Sequence, residues 1–202
     1  MRSAVAAYRQ ALADHDPDDP LVHGKLAPLL LELDDEDGAL ASYRRAAEGH
    51  LQMGFRERAL AVYQQARREF PLEAEFHSEA ARVHLMRGRR ADAALILAEG
   101  GHALGRSRRA EGIEMLRGAL ALQPDHLGAT VALASLVRRE GRRDEALRLL
   151  AGVERGLRGR ALRRVRLEML KAAPSLAAGW RWLKALLSAD PANVAARPGA
   201  AS

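Results

Sequence analysis

The stretch RERALAVYQQARREFP, residues 56–71, places Ala59, Tyr63, Ala66 and Pro71 at intervals of four, three and five. The first three share one stripe of an α-helix with Val62, because residues three and four apart lie on the same face. Pro71 ends that helix, since its ring fixes φ and it has no amide hydrogen to donate. Small residues on the stripe let a neighbouring helix approach closely, and the tyrosine ring fills the space beyond them. A single amphipathic helix of this kind fits many folds, so recurrence decides.

The pattern recurs along the chain. Ala93 follows Ala59 by 34 residues, with Leu97 in the place of the aromatic, and Ala146 with Leu150 follows Gly112 by 34. Gly112, Leu116, Ala119 and Pro124 repeat the full motif. Ala4, Tyr8, Ala11 and Pro17 offer it upstream, as do Ala39, Tyr43 and Ala46. These residues resemble the tetratricopeptide repeat family, whose unit of about 34 residues carries W-x2-L-G-x2-Y on a first helix and A-x3-F with a later Pro on a second. The first-helix half stands at His23, Leu26, Ala27 and Leu30, at His77, Ala80, Ala81 and His84, and at Thr130, Leu133, Ala134 and Val137. Trp180, Leu183 and Leu187 continue it, with Lys184 at the small site.

The resemblance covers nearly all of residues 2–188 and implies an all-α fold, a right-handed α-solenoid of stacked antiparallel helices. Helices are expected near residues 2–13, 19–33, 37–53, 56–69, 72–87, 90–104, 107–121, 126–140, 143–155, 159–172 and 175–188, about eleven in all. Residues 1–188 would form the solenoid and 189–202 a disordered tail. The anchors depart from a regular array: they are spaced 35, 20, 34, 19 and 34, so every second interval is too short for a separate helical pair. The chain reads as a superperiod of about 53 residues with three helices, beginning at Ala39, Ala93 and Ala146. The middle helix then serves two repeats at once. Irregular arrays of this kind resemble bacterial members of the family.

Composition agrees. Hydrophobic residues make up 48% and aromatics 4%, and one Thr with two Ile is a poor supply for strands. The chain has no Cys, so it can build neither a disulfide framework nor a thiolate metal site. No run of apolar residues is long enough for a membrane span, and residues 1–13 read as a repeat helix rather than a signal peptide. A cytoplasmic location is expected.

Charge is uneven. Residues 1–55 carry 5 basic and 10 acidic side chains, net −5, while 56–202 carry 27 and 16, net +11. Since 29 of the 32 basic residues are Arg, the balance looks like a coding bias, and nucleic-acid binding is not the expected use. Basic residues do recur after helix-ending glycines, at GFRER from 54, GRR from 88, GRSRR from 105, GRR from 141 and GR from 159. The helix dipole favours cations there, and stacking would line them up as an edge ridge. That ridge supports the alternative of an accessory factor touching RNA or DNA.

Catalytic and cofactor motifs are missing, with no phosphate loop, HExxH or nucleophile elbow. His77 and His84 stand two helical turns apart, about 10.5 Å of rise, too far to share a metal, and with His23 and His50 they occupy packing sites. The clusters DHDPDD from 14 and DDED from 34 lack the glycine and terminal glutamate of a calcium loop. Asp19 and Asp35 to Asp37 are expected to cap the following helices.

In the family resemblance the working surface is the concave groove. The register assigns to it Lys25, Glu32, Arg44, Arg45, Glu48, Glu75, Ser78, Glu79, Arg82, Met86, Val131, Ser135, Arg138 and Arg139. The family's Asn and Lys carboxylate clamp is not expected, because the one Asn is Asn193, in the tail. On the final helix Trp180, Leu183 and Leu187 form one stripe, expected to dock. Trp182 and Leu186 form a second, left for a partner, a second subunit included. The expected function is a non-enzymatic protein-interaction scaffold or adaptor without cofactor or metal. A regulatory segment of a larger enzyme or machine is a further alternative.

Overall fold

Capping and turn chemistry set the helix boundaries. The computed structural model describes residues 1–187, which fold as α1 (Arg2–Asp14), α2 (Pro20–Leu31), α3 (Glu36–Gln52), α4 (Arg56–Glu69), α5 (Ala74–Met86), α6 (Arg90–Leu104), α7 (Arg109–Leu122), α8 (Leu127–Arg139), α9 (Arg143–Glu154), α10 (Gly159–Ala172) and α11 (Leu176–Leu187). Each expected helix is present, with ends displaced by two residues or fewer among the described residues. The expected tail, 189–202, and Asn193 lie outside them. No described helix is long and apolar enough to cross a membrane.

The expected caps form. The Asp19 carboxylate accepts from the Leu21 and Val22 amides at 2.8 and 3.4 Å, and Asp35 from the Gly38 amide at 2.9 Å. Helices α2, α5 and α8 end on left-handed residues, Asp34, Gly88 and Gly141, with φ of 61°, 71° and 83°. At each, the next amide reaches back five residues: Asp35 to the Leu30 carbonyl, Arg89 to His84 and Arg142 to Val137, at 2.9, 2.9 and 3.0 Å. These turns recur every 54 and 53 residues, which makes the superperiod visible in the backbone.

A second device follows the same period. The His23 Nε2–H donates to the Pro17 carbonyl at 2.8 Å, and the His77 Nε2–H to Pro71 at 3.2 Å. Thr130 stands third and donates from Oγ1 to the His126 carbonyl at 3.2 Å. The histidines thus tie each first helix to the proline turn before it, leaving Nδ1 of both rings buried and unpaired. Burial holds the His77 pKa below its ordinary value.

Consecutive helices stack on one another from α1 to α11. The interior is a chain of overlapping clusters instead of one centre. Leu31 and Phe70 join the α1–α3 cluster to the next, and Leu97 joins that one to the cluster running from α6 to α10. A core extended by contacts between near neighbours is what defines a solenoid. Tyr63 lies at its middle, 3% exposed and with its ring centroid 6.3 Å from that of Phe76.

Glycines permit the tightest crossing, between α6 and α7. A Cβ on Gly112 would stand 2.8 Å from the Gly101 carbonyl oxygen and 2.9 Å from the Gly105 Cα, both backbone atoms that cannot step aside. One on Gly101 would meet Leu116 Cγ at 2.6 Å. The glycine at the small-residue anchor is therefore a packing requirement.

Two expectations are corrected. Val131, placed in the groove by the register, is 4% exposed and packs in the core of α8. The final helix is turned about its axis. Its buried residues are Ala178 and Ala185, in line with the half-buried Trp182, whereas Trp180 and Leu187 are 58% and 72% exposed. Lys184 supplies the reason: it occupies the site that Ala27, Ala81 and Ala134 fill elsewhere, and a long cation does not fit a close crossing. A turn of one residue, about 100°, brings Ala185 to the crossing instead.

Candidate functional site

Exposed side chains of the inner helices depend on which rows of each helix are spent on packing. On α5, Phe76, His77, Ala80, Ala81 and Val83 go inward. That leaves Glu75, Glu79, Arg82 and Met86, at spacings of four, three and four, as one outward stripe. Arg44 of α3 joins it, 2.7 Å from Glu75 and 3.7 Å from Glu73. Arg82 is paired with Glu79 on its own helix, and Met86 lies exposed at the end of the stripe. The structure therefore brings Arg44, Glu75, Glu79 and Arg82 into one lattice of alternating charge. Arg45 points elsewhere, toward Asp18 at 3.9 Å.

Next to this lattice a cleft of about 460 Å³ opens between α4, α5 and α6. Arg67, with Glu99 at 3.3 Å, and His84, with Asp92 at 3.8 Å, lie on its walls. Burial lowers the pKa of both Arg67 and His84, and no hydrogen bond reaches Arg67 Nε or His84 Nδ1. Carboxylates and cations alternate here too, so the cleft has no net sign.

On α8 the two expected arginines separate. Arg138 is half-buried and lies 4.0 Å from Glu168 of α10, whereas Arg139 is exposed and without an ion-pair partner among the described residues. Ser135 is half-buried in the same wall.

The edge ridge is neutralised by its own chain only in part. Arg87 pairs with Glu57, Arg89 with Asp92, Arg108 with Glu111 at 2.8 Å and Arg142 with Glu140 at 3.2 Å. Arg108 also donates to the Leu72 carbonyl at 2.7 Å, an intramolecular strap across 36 residues. Arg58 lies over the Phe55 ring at 4.8 Å. These cations satisfy neighbours within the fold, whereas Arg56, Arg90, Arg106, Arg109, Arg143 and Arg160 of the ridge have no ion-pair partner among the described residues.

At the far end, α11 presents Leu176, Trp180 and Leu187 to solvent, 96%, 58% and 72% exposed, with Leu186 beside them. Lys184 lies over the Trp180 ring at 5.6 Å. The exposed stripe expected on this helix exists, but Trp180 carries it in place of Trp182. Sequence reasoning also missed Val165, fully buried on α10. The signal was present: the interval of 19 that follows Ala93 also follows Ala146 and lands on Val165, with Met169 and Ala172 completing the motif. A β-branched residue at a small-residue anchor concealed it.

A family profile described as Tetratricopeptide repeat matches residues 2–50 and 46–101. Among solved structures, MamA is 20% identical, over 69% of this chain and 92% of that chain, with a TM-score of 0.36. YrrB, described as a TPR protein with an unusual peptide-binding site, is 14% identical over 88% and 98%, with a TM-score of 0.29. A putative kinesin light chain with nearly identical TPR-like repeats, from Podosopora anserina, is 17% identical over 92% and 89%, with a TM-score of 0.33. No curated protein matches the chain in sequence.

Proposed function

Since the chain belongs to the tetratricopeptide repeat family, we propose that it is a non-enzymatic scaffold or adaptor that holds a protein or peptide partner. The family as a whole supports protein interaction. The finer assignment, to the concave groove and the last helix of this chain, is ours. The contacting residues are proposed to be Arg44, Arg45, Glu75, Glu79, Arg82 and Met86 on the first half and Arg138 and Arg139 on the second. Leu186 and Trp180 extend them at the end, with Trp182 holding the helix in place. Residues 1–188 act in this reading as one continuous solenoid.

The observation that carries the proposal is the outer face of α11. On α11, the last described helix, Leu176, Trp180 and Leu187 stand in solvent together. Exposed apolar side chains grouped around a tryptophan are a common anchor for another protein. Pairing of Arg89, Arg108 and Arg142 with internal carboxylates leaves the ridge fewer cations for a polyphosphate partner.

Co-purification from lysate, with and without nuclease, tests the reading when run beside a chain carrying Leu176→Ser and Trp180→Ser. The expected result is a nuclease-resistant partner that the variant loses while its helicity is unchanged. Retention of every partner by the variant, or a partner released by nuclease, would contradict it.

A further inference from the structure

Arginines facing the N-terminal part of the groove are matched by acids of the same chain: Arg44 by Glu73 and Glu75, Arg82 by Glu79. Three others are not. Arg106 in the turn after α6, Arg139 at the end of α8 and Arg164 on α10 line a single cleft of about 190 Å³. All three are exposed, and none has an ion-pair partner among the described residues. One carboxylate stands in that wall, Glu168, and it is already engaged by Arg138 at 4.0 Å and Lys171 at 2.7 Å. The three elements are held against one another, because α8 packs on both α6 and α10 as well as on its chain neighbours.

Like charges gathered around an unoccupied cleft raise its free energy, and an anion that enters relieves the repulsion. A guanidinium fork meets a carboxylate with two parallel N–H donors, and Ser135 offers a hydroxyl in the same wall. The cleft continues past His102 and Arg164 into a second opening of about 380 Å³, where Leu95 and Ala98 give an apolar floor. Neither opening is lined by a Phe, Tyr or Trp ring, so a nucleic-acid strand would find only the smaller imidazoles of His102 and His126 on which to stack its bases.

We infer that this groove binds an acidic segment of a separate protein, with its Asp or Glu carboxylates on Arg106, Arg139 and Arg164 and a neighbouring apolar side chain on Leu95. The inference rests on the adaptor reading and supplies the chemistry of its partner. It accounts for three of the cations in the positive excess of residues 56–202, which in this cleft are left for a ligand.

The test is selection of random displayed dodecapeptides on the intact chain. Binding of the selected peptides is then compared with a cleft variant, Arg106→Glu with Arg139→Glu and Arg164→Glu. A control variant of equal charge change, Arg56→Glu with Arg90→Glu and Arg148→Glu, runs beside it, and circular dichroism confirms that both are folded. Selected peptides are expected to be rich in Asp and Glu and to lose at least about tenfold in affinity on the cleft variant, against less than about threefold on the control. Peptides with no acidic bias that bind both variants alike would overturn the inference and leave the adaptor reading standing. Selection of no peptide at all would overturn both. Tighter binding of a single-stranded RNA decamer, lost in the cleft variant, would assign the cleft to nucleic acid. Self-association of the native chain that the cleft variant abolishes would assign it to a second copy, and either result would overturn the separate acidic partner.

Discussion

The crossing of α6 with α7 and the crossing of α9 with α10 occupy equivalent places in the superperiod, yet they are built in opposite ways. In the first, Gly100 and Gly101 meet a helix anchored on Gly112, and the backbones touch. In the second, the equivalent positions hold Val153 and Glu154 facing a helix anchored on Val165. The polar end there is held by Arg166, which donates to Glu154 at 2.8 Å. Helix α6 buries seven residues from Ala93 to Leu104, whereas α9 buries Ala146 and Leu150 and α10 buries Val165 and Ala172. The comparison teaches that one repeat plan yields a rigid middle where side chains are absent and a looser end where they are retained. The looser end is the one that bears the unpaired arginine Arg164 and leads into the exposed face of α11.

The largest effect expected within this contrast comes from the ring position. Tyr63→Ala removes a buried ring from the rigid part and is expected to cost about 3–5 kcal/mol, while Met169→Ala, at the same place on α10 and half-buried, is expected near the low end of its class, about 2 kcal/mol. Chemical denaturation of the two variants measures both. Equal losses would break the contrast, and a melting curve unchanged by Tyr63→Ala would mean that the repeat motif has been misplaced.

Next in size is a pair of opposite sign. Gly112→Ala forces a methyl group against backbone and is expected to destabilise by about 1–3 kcal/mol. Gly152→Ala on α9 has open space around the added Cβ, and is expected to stabilise by about 0.5–1 kcal/mol because alanine is the better helix former. Stabilisation at both positions would show that the α6–α7 crossing is not close-packed in solution.

Acid should then weaken the rigid part more than the loose one. Burial lowers the folded-state pKa of His77, as it does for His50 and His84. Between those folded values and the unfolded value, about 6.5, the unfolded chain binds more protons. Stability is therefore complete above pH 6.5 and falls as pH drops below it. His77→Thr copies the third superperiod, where Thr130 takes this place, and is expected to flatten that fall in melting temperature between neutral and mildly acid pH. An undiminished slope would remove His77 from the explanation.

The smallest effect concerns Asp34, which adopts the left-handed φ that glycine adopts at the equivalent turns. Asp34→Gly is expected to gain up to about 1 kcal/mol, the relief of a side chain in that region less the added freedom of the unfolded glycine. A loss in thermal melts would show that the Asp34 side chain contributes locally.

Much of this was legible in the sequence, for identifiable reasons. Helix boundaries followed because Pro17, Pro71 and Pro124 and the helix-ending glycines act locally, through φ and a missing donor. Packing of Ala59, Tyr63 and Ala66 followed because helical spacing alone puts them on one face. The groove lattice of Arg44 with Glu75 was in reach, since both lie on rows left over from packing. The rotation of α11 was not: it results from competition between Lys184 and Ala185 for one crossing, which spacing does not resolve. The cleft of Arg106, Arg139 and Arg164 was hidden for another reason. Its members come from two helices and the turn after a third, and their lack of partners depends on where Glu168 and Arg138 settle in space.

Amide hydrogen exchange on the intact native chain tests the central claim most directly, that a rigid middle carries a looser C-terminal surface free to meet a partner. Protection is expected to be greatest for the amides of α6 and α7, intermediate in α3 and α4, and least in α10 and α11. Uniform protection from α3 to α11, or protection in α10 and α11 equal to that of the glycine crossing, would contradict the account.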